Sequence, residues 1–181
     1  MQSFYRYVMA AVLVVGFLSG CASSVTRDAA DQASTAPTAS TVKFGTVPVQ
    51  VKITLDQAAQ DALKDNLKFN VKKLQETLES ALDARKLLAS KDDVNAMQLN
   101  VEITGIRVRS NFSAVMFGFM AGSDYIDGSV SLVDPNHQPI DHFKVSTSYA
   151  LGGLAGGQDE ARMGWLYEKF AEKTLAELQP Q

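Results

Sequence analysis

The chain has 181 residues, of which 46% are apolar and 20% charged, and its net charge at neutral pH is −3. This composition is typical of a globular protein with one domain, and it excludes a chain that is disordered throughout. The basic clusters considered as candidates for a nucleic-acid contact are Lys72-Lys73 and Arg107-x-Arg109, which we interpret as solvated faces. Because phosphate binding needs a local basic excess, we expect no nucleic-acid partner.

The first twenty residues have the pattern of a secretory signal peptide. The free amino terminus and Arg6 precede an apolar run from Val8 to Leu18, and small residues follow it. The run is shorter than the roughly 20 apolar residues that span a bilayer. We therefore predict that residues 1–20 are removed from the mature protein.

Cys21 is the only cysteine of the chain, which excludes an internal disulfide. The tetrapeptide Leu18-Ser19-Gly20-Cys21 directly follows the apolar run and resembles the lipobox of bacterial lipoproteins. The resemblance implies cleavage between Gly20 and Cys21 and acylation of Cys21, and two or more acyl chains suffice for stable anchoring. Residue 22 is Ala rather than the Asp that marks inner-membrane retention. In a Gram-negative host this implies the periplasmic face of the outer membrane.

The composition changes after the cysteine. Residues 22–41 are rich in Ala, Ser and Thr, contain Pro37, and show no hydrophobic periodicity. We predict that residues 21–41 are the lipidated cysteine and a flexible tether that spans roughly 25 Å. Residues 42–181 are then predicted to form a single domain.

Two different periodicities begin the domain. Apolar residues at every second position from Val47 to Leu55 predict a half-buried strand. From about Asp56 the apolar residues recur at steps of three and four as far as Leu88. This second pattern predicts one long amphipathic helix.

The next segment predicts an irregular strand. Met97, Leu99, Val101 and Ile103 alternate with polar residues, but the alternation slips by one position at Gly105. A β-bulge or a bend at Gly105 would explain the slip, since a bulge adds one residue to one strand of a pair.

Two more strands and a helix complete the chain. One strand contains Ile126, Val130 and Leu132, the other runs from Ile140 to Ala150, and the turn at residues 134–139 separates them. A helix with an acidic N-terminal turn is expected from about Asp159, and Pro180 ends it. Its buried face is predicted to hold Met163, Leu166 or Tyr167, Phe170, Thr174 and Leu178. The order β-α-β-β-β-α predicts an α+β fold, in which a four-stranded, mainly antiparallel sheet carries two amphipathic helices on one face.

No motif in the sequence predicts a catalytic, metal or cofactor site. Glycines at 152–157 have the spacing of a phosphate-binding loop, but Gln158 stands where the essential lysine belongs. His137 and His142 flank a turn without any zinc-binding spacing. The GxSxG motif of many hydrolases is absent. We expect no catalytic residue, no metal and no cofactor, and an envelope hydrolase is the least favoured alternative.

The segment 111–123 is unusual for a connection because it holds three phenylalanines, two methionines and no charge. Connections are normally polar, so this one is either folded under the core or displayed to a partner. Both interpretations stay open. The candidate interaction residues are Phe112, Phe117, Phe119 and Met120.

Several short elements in the second half of the chain resemble one family. They are Ile-Thr-Gly-Ile-Arg at 103–107, Phe-Gly-Phe-Met-Ala-Gly at 117–122, Leu-Val-Asp at 132–134 and the glycine cluster before the last helix. Together they resemble the Gram-negative lipoprotein family called domain of unknown function 4410. Val115-Met116 depart from it, since its members often have basic residues there. The resemblance implies no activity, because none is established for the family.

Two hypotheses about function follow from the anchor, the tether and the uncharged segment. The favoured one is a noncatalytic accessory or assembly factor that binds an envelope protein through a sheet edge or through residues 111–123. The alternative is a carrier or sensor of a small amphiphile such as a lipid, bound between the helices and the sheet. The expected partners are thus the membrane, through the lipid on Cys21, and an envelope protein, whereas the sequence leaves any small-molecule ligand unknown.

Overall fold

A computed structural model describes residues 21–27, 42–66, 68–110, 122–150 and 159–179. The described residues form one five-stranded sheet and three helices. The strands are β1 (Cys21–Thr26), β2 (Val49–Leu55), β3 (Met97–Arg107), β4 (Asp124–Val133) and β5 (Pro139–Tyr149). The helices are α1 (Gln57–Leu63), α2 (Val71–Asp83) and α3 (Asp159–Leu178). The strand order is β1-β5-β4-β3-β2, and only the β2–β3 pair is parallel.

The predicted fold class is wrong, because the sheet has five strands and is mixed, and three helices accompany it. The strand that the sequence missed is β1, which lies where we expected the start of a flexible tether. Its Ala and Ser residues have weak strand propensity. Pairing with β5 over six residues, from Cys21 opposite Tyr149 to Thr26 opposite Lys144, compensates for this weakness. Residues 28–41 of the predicted tether lie outside the described residues.

The long helix predicted from Asp56 is also wrong, because it is divided into α1 and α2. The Asp56 carboxylate caps α1 by accepting a hydrogen bond from the Ala59 N–H at 2.7 Å. The Asn70 side chain caps α2 in the same way through the Lys73 N–H at 3.1 Å. Each cap fixes a helix start. The apolar periodicity continues across the break because both helices pack against the same sheet.

The core lies between the helices and one face of the sheet. The strand residues predicted to point inward, Met97, Leu99, Val101 and Ile103, are fully buried. The predicted face of α3 is buried as well, including Leu166 and Phe170. Phe170 packs so closely on β4 that a Cβ added at Gly128 would lie 2.9 Å from its ring. The predicted inward positions of β3 and α3 are therefore confirmed.

The register of β3 and β4 confirms the predicted β-bulge. Ile103 lies opposite Gly128 and Gly105 lies opposite Asp127, so the intervening Thr104 is the extra residue. The φ angle of Gly105 is outside the left-handed region. A side chain at this position would meet Asp127 Oδ2 at 3.3 Å, so crowding rather than backbone strain favours glycine here.

Across the described parts of the chain, every helix is too short or too polar to span a bilayer.

Candidate functional site

Cys21, the first residue of β1, lies opposite Tyr149, the last residue of β5. On its other side Tyr149 lies opposite Asp124, the first residue of β4. The last residue of β3, Arg107, lies at the same end of the strands, opposite Tyr125. We call this end, where Cys21, Arg107, Asp124 and Tyr149 lie, the Cys21 end of the sheet.

A buried cluster of two arginines and two aspartates lies at the Cys21 end. The Asp124 carboxylate is fully buried, and Arg162 Nε donates to its Oδ2 at 2.8 Å. Arg109 Nη2 donates to the same oxygen at 3.2 Å, and Arg162 Nη2 donates to Asp159 Oδ1 at 2.7 Å. The formal charges balance within the cluster, which offsets the cost of removing each charge from water.

The same two guanidinium groups also bind the backbone. Arg109 Nη1 donates to the carbonyl of Gly122 at 2.7 Å, and Arg109 Nη2 donates to the carbonyl of Tyr149 at 3.0 Å. Arg162 Nη2 donates to the Arg109 carbonyl at 3.1 Å. The cluster therefore joins the ends of β3 and β5, the start of β4 and the first turn of α3 at one point.

The sequence did not predict this cluster. We expected Arg109 to belong to a solvated face, whereas it is 4% exposed. Asp159 was expected only as an acidic residue in a first helical turn. One signal was present, since Arg162 lies four residues before Leu166 and thus falls in the apolar stripe of α3.

An aromatic pair lies next to the backbone of Cys21. The rings of Tyr149 and Trp165 meet edge to face, with centroids 5.3 Å apart and an interplanar angle of 62°. Both side chains are half-buried, and Trp165 is the only tryptophan of the chain. A partly exposed pair of amphipathic rings therefore accompanies the start of β1.

The face of the sheet opposite the helices is polar. A depression of about 360 Å³ on this face is lined by Thr26, Thr104, Asp127, Ser129, Lys144 and Ser146. Ser146 Oγ donates to Asp127 Oδ1 at 2.6 Å, and Ser129 Oγ lies 2.8 Å from His142 Nε2. We call this surface the polar face; it offers hydroxyl, carboxylate and ammonium groups for hydrogen bonding.

The two histidines of the sequence lie apart. His142 is on the polar face, whereas His137 is exposed in the turn that Asp134 closes by accepting hydrogen bonds from the backbone N–H groups of Asn136 and Gln138, both at 2.8 Å. Within the described ranges no three His, Cys, Asp or Glu residues are grouped so that they could hold a metal ion.

Most of the site residues predicted from the sequence lie outside the described residues. These are Gly20, Phe112, Phe117, Phe119 and Met120. The glycine cluster 152–157, which we did not predict to be a site, also lies outside the described residues. Of the predicted cleavage and lipidation site, only the backbone of Cys21 is described. The interaction role of residues 112–120 stays a prediction.

Comparison with known proteins identifies a family. A search among curated proteins gives no match. Two structures of the PelC dodecamer from Paraburkholderia phytofirmans are similar at 13% identity, with TM-scores of 0.46 and 0.45; the alignments cover 89% of this chain and 98% and 99% of theirs. The model of the domain of unknown function DUF4410 matches residues 24–153, which is most of the chain. The chain therefore belongs to the DUF4410 family.

Proposed function

We propose that the protein is a noncatalytic outer-membrane lipoprotein, cut before Cys21 and acylated on it, which holds an interaction domain directly against the periplasmic face of the membrane. The main observation in its support is the position of Cys21. This residue is the first residue of β1 and pairs with Tyr149, so no flexible spacer separates the anchor from the folded domain.

An anchor at the start of a strand would fix the orientation of the domain. β1 pairs with β5 over its whole length, and the residue after it, Arg27, holds it to two other elements. The Arg27 guanidinium forms ion pairs with Asp141 and, at 2.8 Å, with Glu177, and it lies 5.3 Å from the centre of the Phe143 ring. The hydrogen bond to Asp141 raises the pKa of Arg27, although burial acts in the opposite direction.

The surface that such an orientation would present to a partner is the polar face together with β1. In the observed strand order, β1 lies at one edge of the sheet. An edge strand offers backbone groups to an added strand of a partner. The hydroxyl-rich polar face adjoins this edge through Thr26 and Ser146.

The described residues give the two alternatives less support. A lipid held between helices and sheet would need the volume that Phe170 fills above Gly128. A hydrolase could use the contact between Ser129 and His142, but both lie on interior strands. Backbone N–H groups on interior strands take part in the sheet ladder, so they are poorly placed to stabilise an oxyanion.

Lipidation is tested by labelling cells with a clickable fatty acid. We expect label on the wild-type chain and none on Cys21→Ser, because the thiol is the acyl acceptor. Ser24→Ala is the matched control, since it also alters β1 but keeps the thiol, and it should be labelled like the wild type. A wild-type chain without label, or a Cys21→Ser chain with equal label, contradicts the proposal.

The interaction surface is tested by photocrosslinking in intact cells. A photoreactive residue at Ser24, which is exposed on β1, should give a discrete product with an envelope protein. The control position is Lys72, whose side chain is 84% exposed on α2, and it should give no such product. Identical product patterns at the two positions count against β1 as the binding edge.

A further inference from the structure

We infer that the Cys21 end of the sheet is a membrane-apposed surface, in which the Tyr149–Trp165 ring pair lies at the boundary between lipid headgroups and acyl chains. The inference rests on the proposed acylation of Cys21. It adds a contact surface and a defined partner, the bilayer interface.

The first argument is distance. Residues directly opposite each other in an antiparallel pair have Cα atoms only about 4.5–5.5 Å apart, and Cys21 and Tyr149 are such a pair. The Tyr149 ring in turn lies 5.3 Å from the Trp165 ring, centre to centre. Acyl chains that start at Cys21 bring its backbone to the headgroup region, which is roughly 5–8 Å thick on each side of the hydrocarbon core. Both rings are then close to that region.

The second argument is chemical. Tyr and Trp are enriched at bilayer interfaces, because their rings are largely apolar and each carries one polar group that remains hydrated. Both side chains are only half-buried, so part of each ring remains available for contact. The exposed charges nearby are of both signs, Arg107 and Lys68 against Glu160 and Glu168. We therefore expect contact that depends on the acyl chains and hardly on anionic lipid or salt.

The third argument is rigidity. Arg109 binds the carbonyl of Tyr149, and Arg162, which is three residues before Trp165, binds Asp124. The two rings are thus held on elements that the buried cluster joins. The position of the rings relative to the anchor is fixed by the fold.

Trp165 is itself the probe for the experiment, because the chain has no other tryptophan. The full acylated protein is reconstituted into phosphatidylcholine vesicles that contain lipids spin-labelled either near the headgroup or near the end of the acyl chain. We expect the shallow label to quench Trp165 fluorescence at least twofold more than the deep label. The emission should also move to shorter wavelength on reconstitution.

Two variants serve as matched controls. Trp165→Phe combined with Val94→Trp moves the only tryptophan to an 84%-exposed position before β3, at the opposite end of the sheet, and its quenching should be lost. A flexible Gly/Ser spacer of about twenty residues between Cys21 and Ala22 keeps the acylation site and lifts the domain by roughly 25 Å. Trp165 quenching should be lost in this variant as well.

The outcomes separate the two proposals. If mass spectrometry shows an acylated Cys21 but neither label quenches Trp165, the membrane-apposed surface is wrong and the lipoprotein proposal stands. If Trp165 is quenched equally with and without the spacer, apposition is not the cause, and the inference also fails. If Cys21 carries no acyl group, the proposed function itself is wrong.

Discussion

The two ends of the sheet are closed by different kinds of interaction. At the Cys21 end, Asp124, Arg109 and Arg162 are withdrawn from water almost completely. At the far end, which we define by Arg27, Asp134, Ile140 and Leu178, a hydrogen-bonded turn and partly exposed ion pairs of Arg27 close the structure.

This difference indicates where the fold requires a fixed chain path. Buried ion pairs add little net stability over apolar packing, but breaking one of them is strongly destabilising. The Cys21 end joins the segment after β3, the start of β4 and the first turn of α3 through such pairs, so an error in the path of any one of them would leave a buried charge unpaired. The end of β5 is held by the hydrogen bond from Arg109 to the Tyr149 carbonyl. The far end tolerates more variation at Arg27, whose ion pairs are partly exposed, whereas Asp134 is buried in its turn.

The largest expected effect comes from Asp124→Ala. It leaves Arg109 and Arg162 without their shared carboxylate, and we expect a loss of about 3–5 kcal/mol in the free energy of unfolding. The matched change at the far end is Asp134→Ala, which removes two hydrogen bonds to turn N–H groups and should cost about 1–3 kcal/mol. Urea unfolding of both variants shows which of them loses more unfolding free energy. If Asp134→Ala is the less stable variant, the far end depends more on its buried carboxylate than the Cys21 end does.

Alanine substitutions at two glycines test the same comparison through the backbone. Gly122 and Gly45 both have positive φ angles, +83° and +91°, so alanine at either position is strained by about 1–2 kcal/mol. At Gly45 an added Cβ meets nothing within 4 Å, whereas at Gly122 it would lie 2.6 Å from Arg107 Nη1. We expect Gly122→Ala to be slightly the more destabilising in thermal melts, because the exposed Arg107 side chain has to move aside.

Arg107→Ala provides the control for this pair of glycines. In its background the extra cost of Gly122→Ala should disappear, so that a double-mutant cycle gives a nonzero coupling energy. Additive effects would mean that Arg107 moves aside without cost.

Arg27→Ala should have a smaller effect. Its side chain is 33% exposed, and ion pairs this accessible contribute at most about 1 kcal/mol. The local consequence should be larger than the global one, because Arg27 holds the end of β1. Hydrogen exchange of the β1 amides should accelerate, whereas Lys64→Ala, which removes a pair whose lysine is 75% exposed, should leave it unchanged. Unchanged exchange in Arg27→Ala would show that pairing with β5 alone holds the strand.

The sequence predicted the parts of the fold that depend on local periodicity. β3, β4, β5 and α3 each show one clear pattern, and the slip at Gly105 revealed the bulge. β1 was missed because its pairing with β5 is a long-range contact between residues more than a hundred positions apart. The break between α1 and α2 was missed because the caps at Asp56 and Asn70 interrupt a helix whose apolar period continues.

The candidate site was less predictable than the fold. Cys21 was singled out by motif, but only the sheet register shows that it adjoins Tyr149. The cluster brings together Arg109, which follows β3, Asp124 of β4 and Arg162 of α3. In the sequence only Arg162, in the apolar stripe of its helix, differs from an ordinary surface charge. Such a cluster depends on tertiary proximity, which periodicity and spacing do not report.

The smallest expected effect is a change of stability at high pH, which concerns Tyr167 on α3. Burial raises the pKa of Tyr167 above its ordinary value, although the backbone N–H of Asn70, which donates to its hydroxyl oxygen at 2.8 Å, acts in the opposite direction. Because the pKa is higher in the folded state, the Tyr167 hydroxyl of the unfolded chain loses its proton at a lower pH than that of the folded chain. The contribution of Tyr167 is therefore complete below about pH 10 and is lost as the pH rises through the folded-state pKa.

Tyr167→Phe isolates this contribution, because it removes the titrating group and keeps the ring that packs edge to face on Phe69. At pH 8 the variant should be less stable than the wild type by about 1 kcal/mol, since the Asn70 N–H loses its acceptor. Between pH 9 and 11 the wild type should lose stability faster, so the difference between the two proteins should shrink. The other titrating groups are shared by both proteins and cancel in the difference. Urea unfolding across this pH range measures the difference in the free energy of unfolding between the two proteins. A difference that stays constant would show that the folded and unfolded chains release the Tyr167 proton at the same pH.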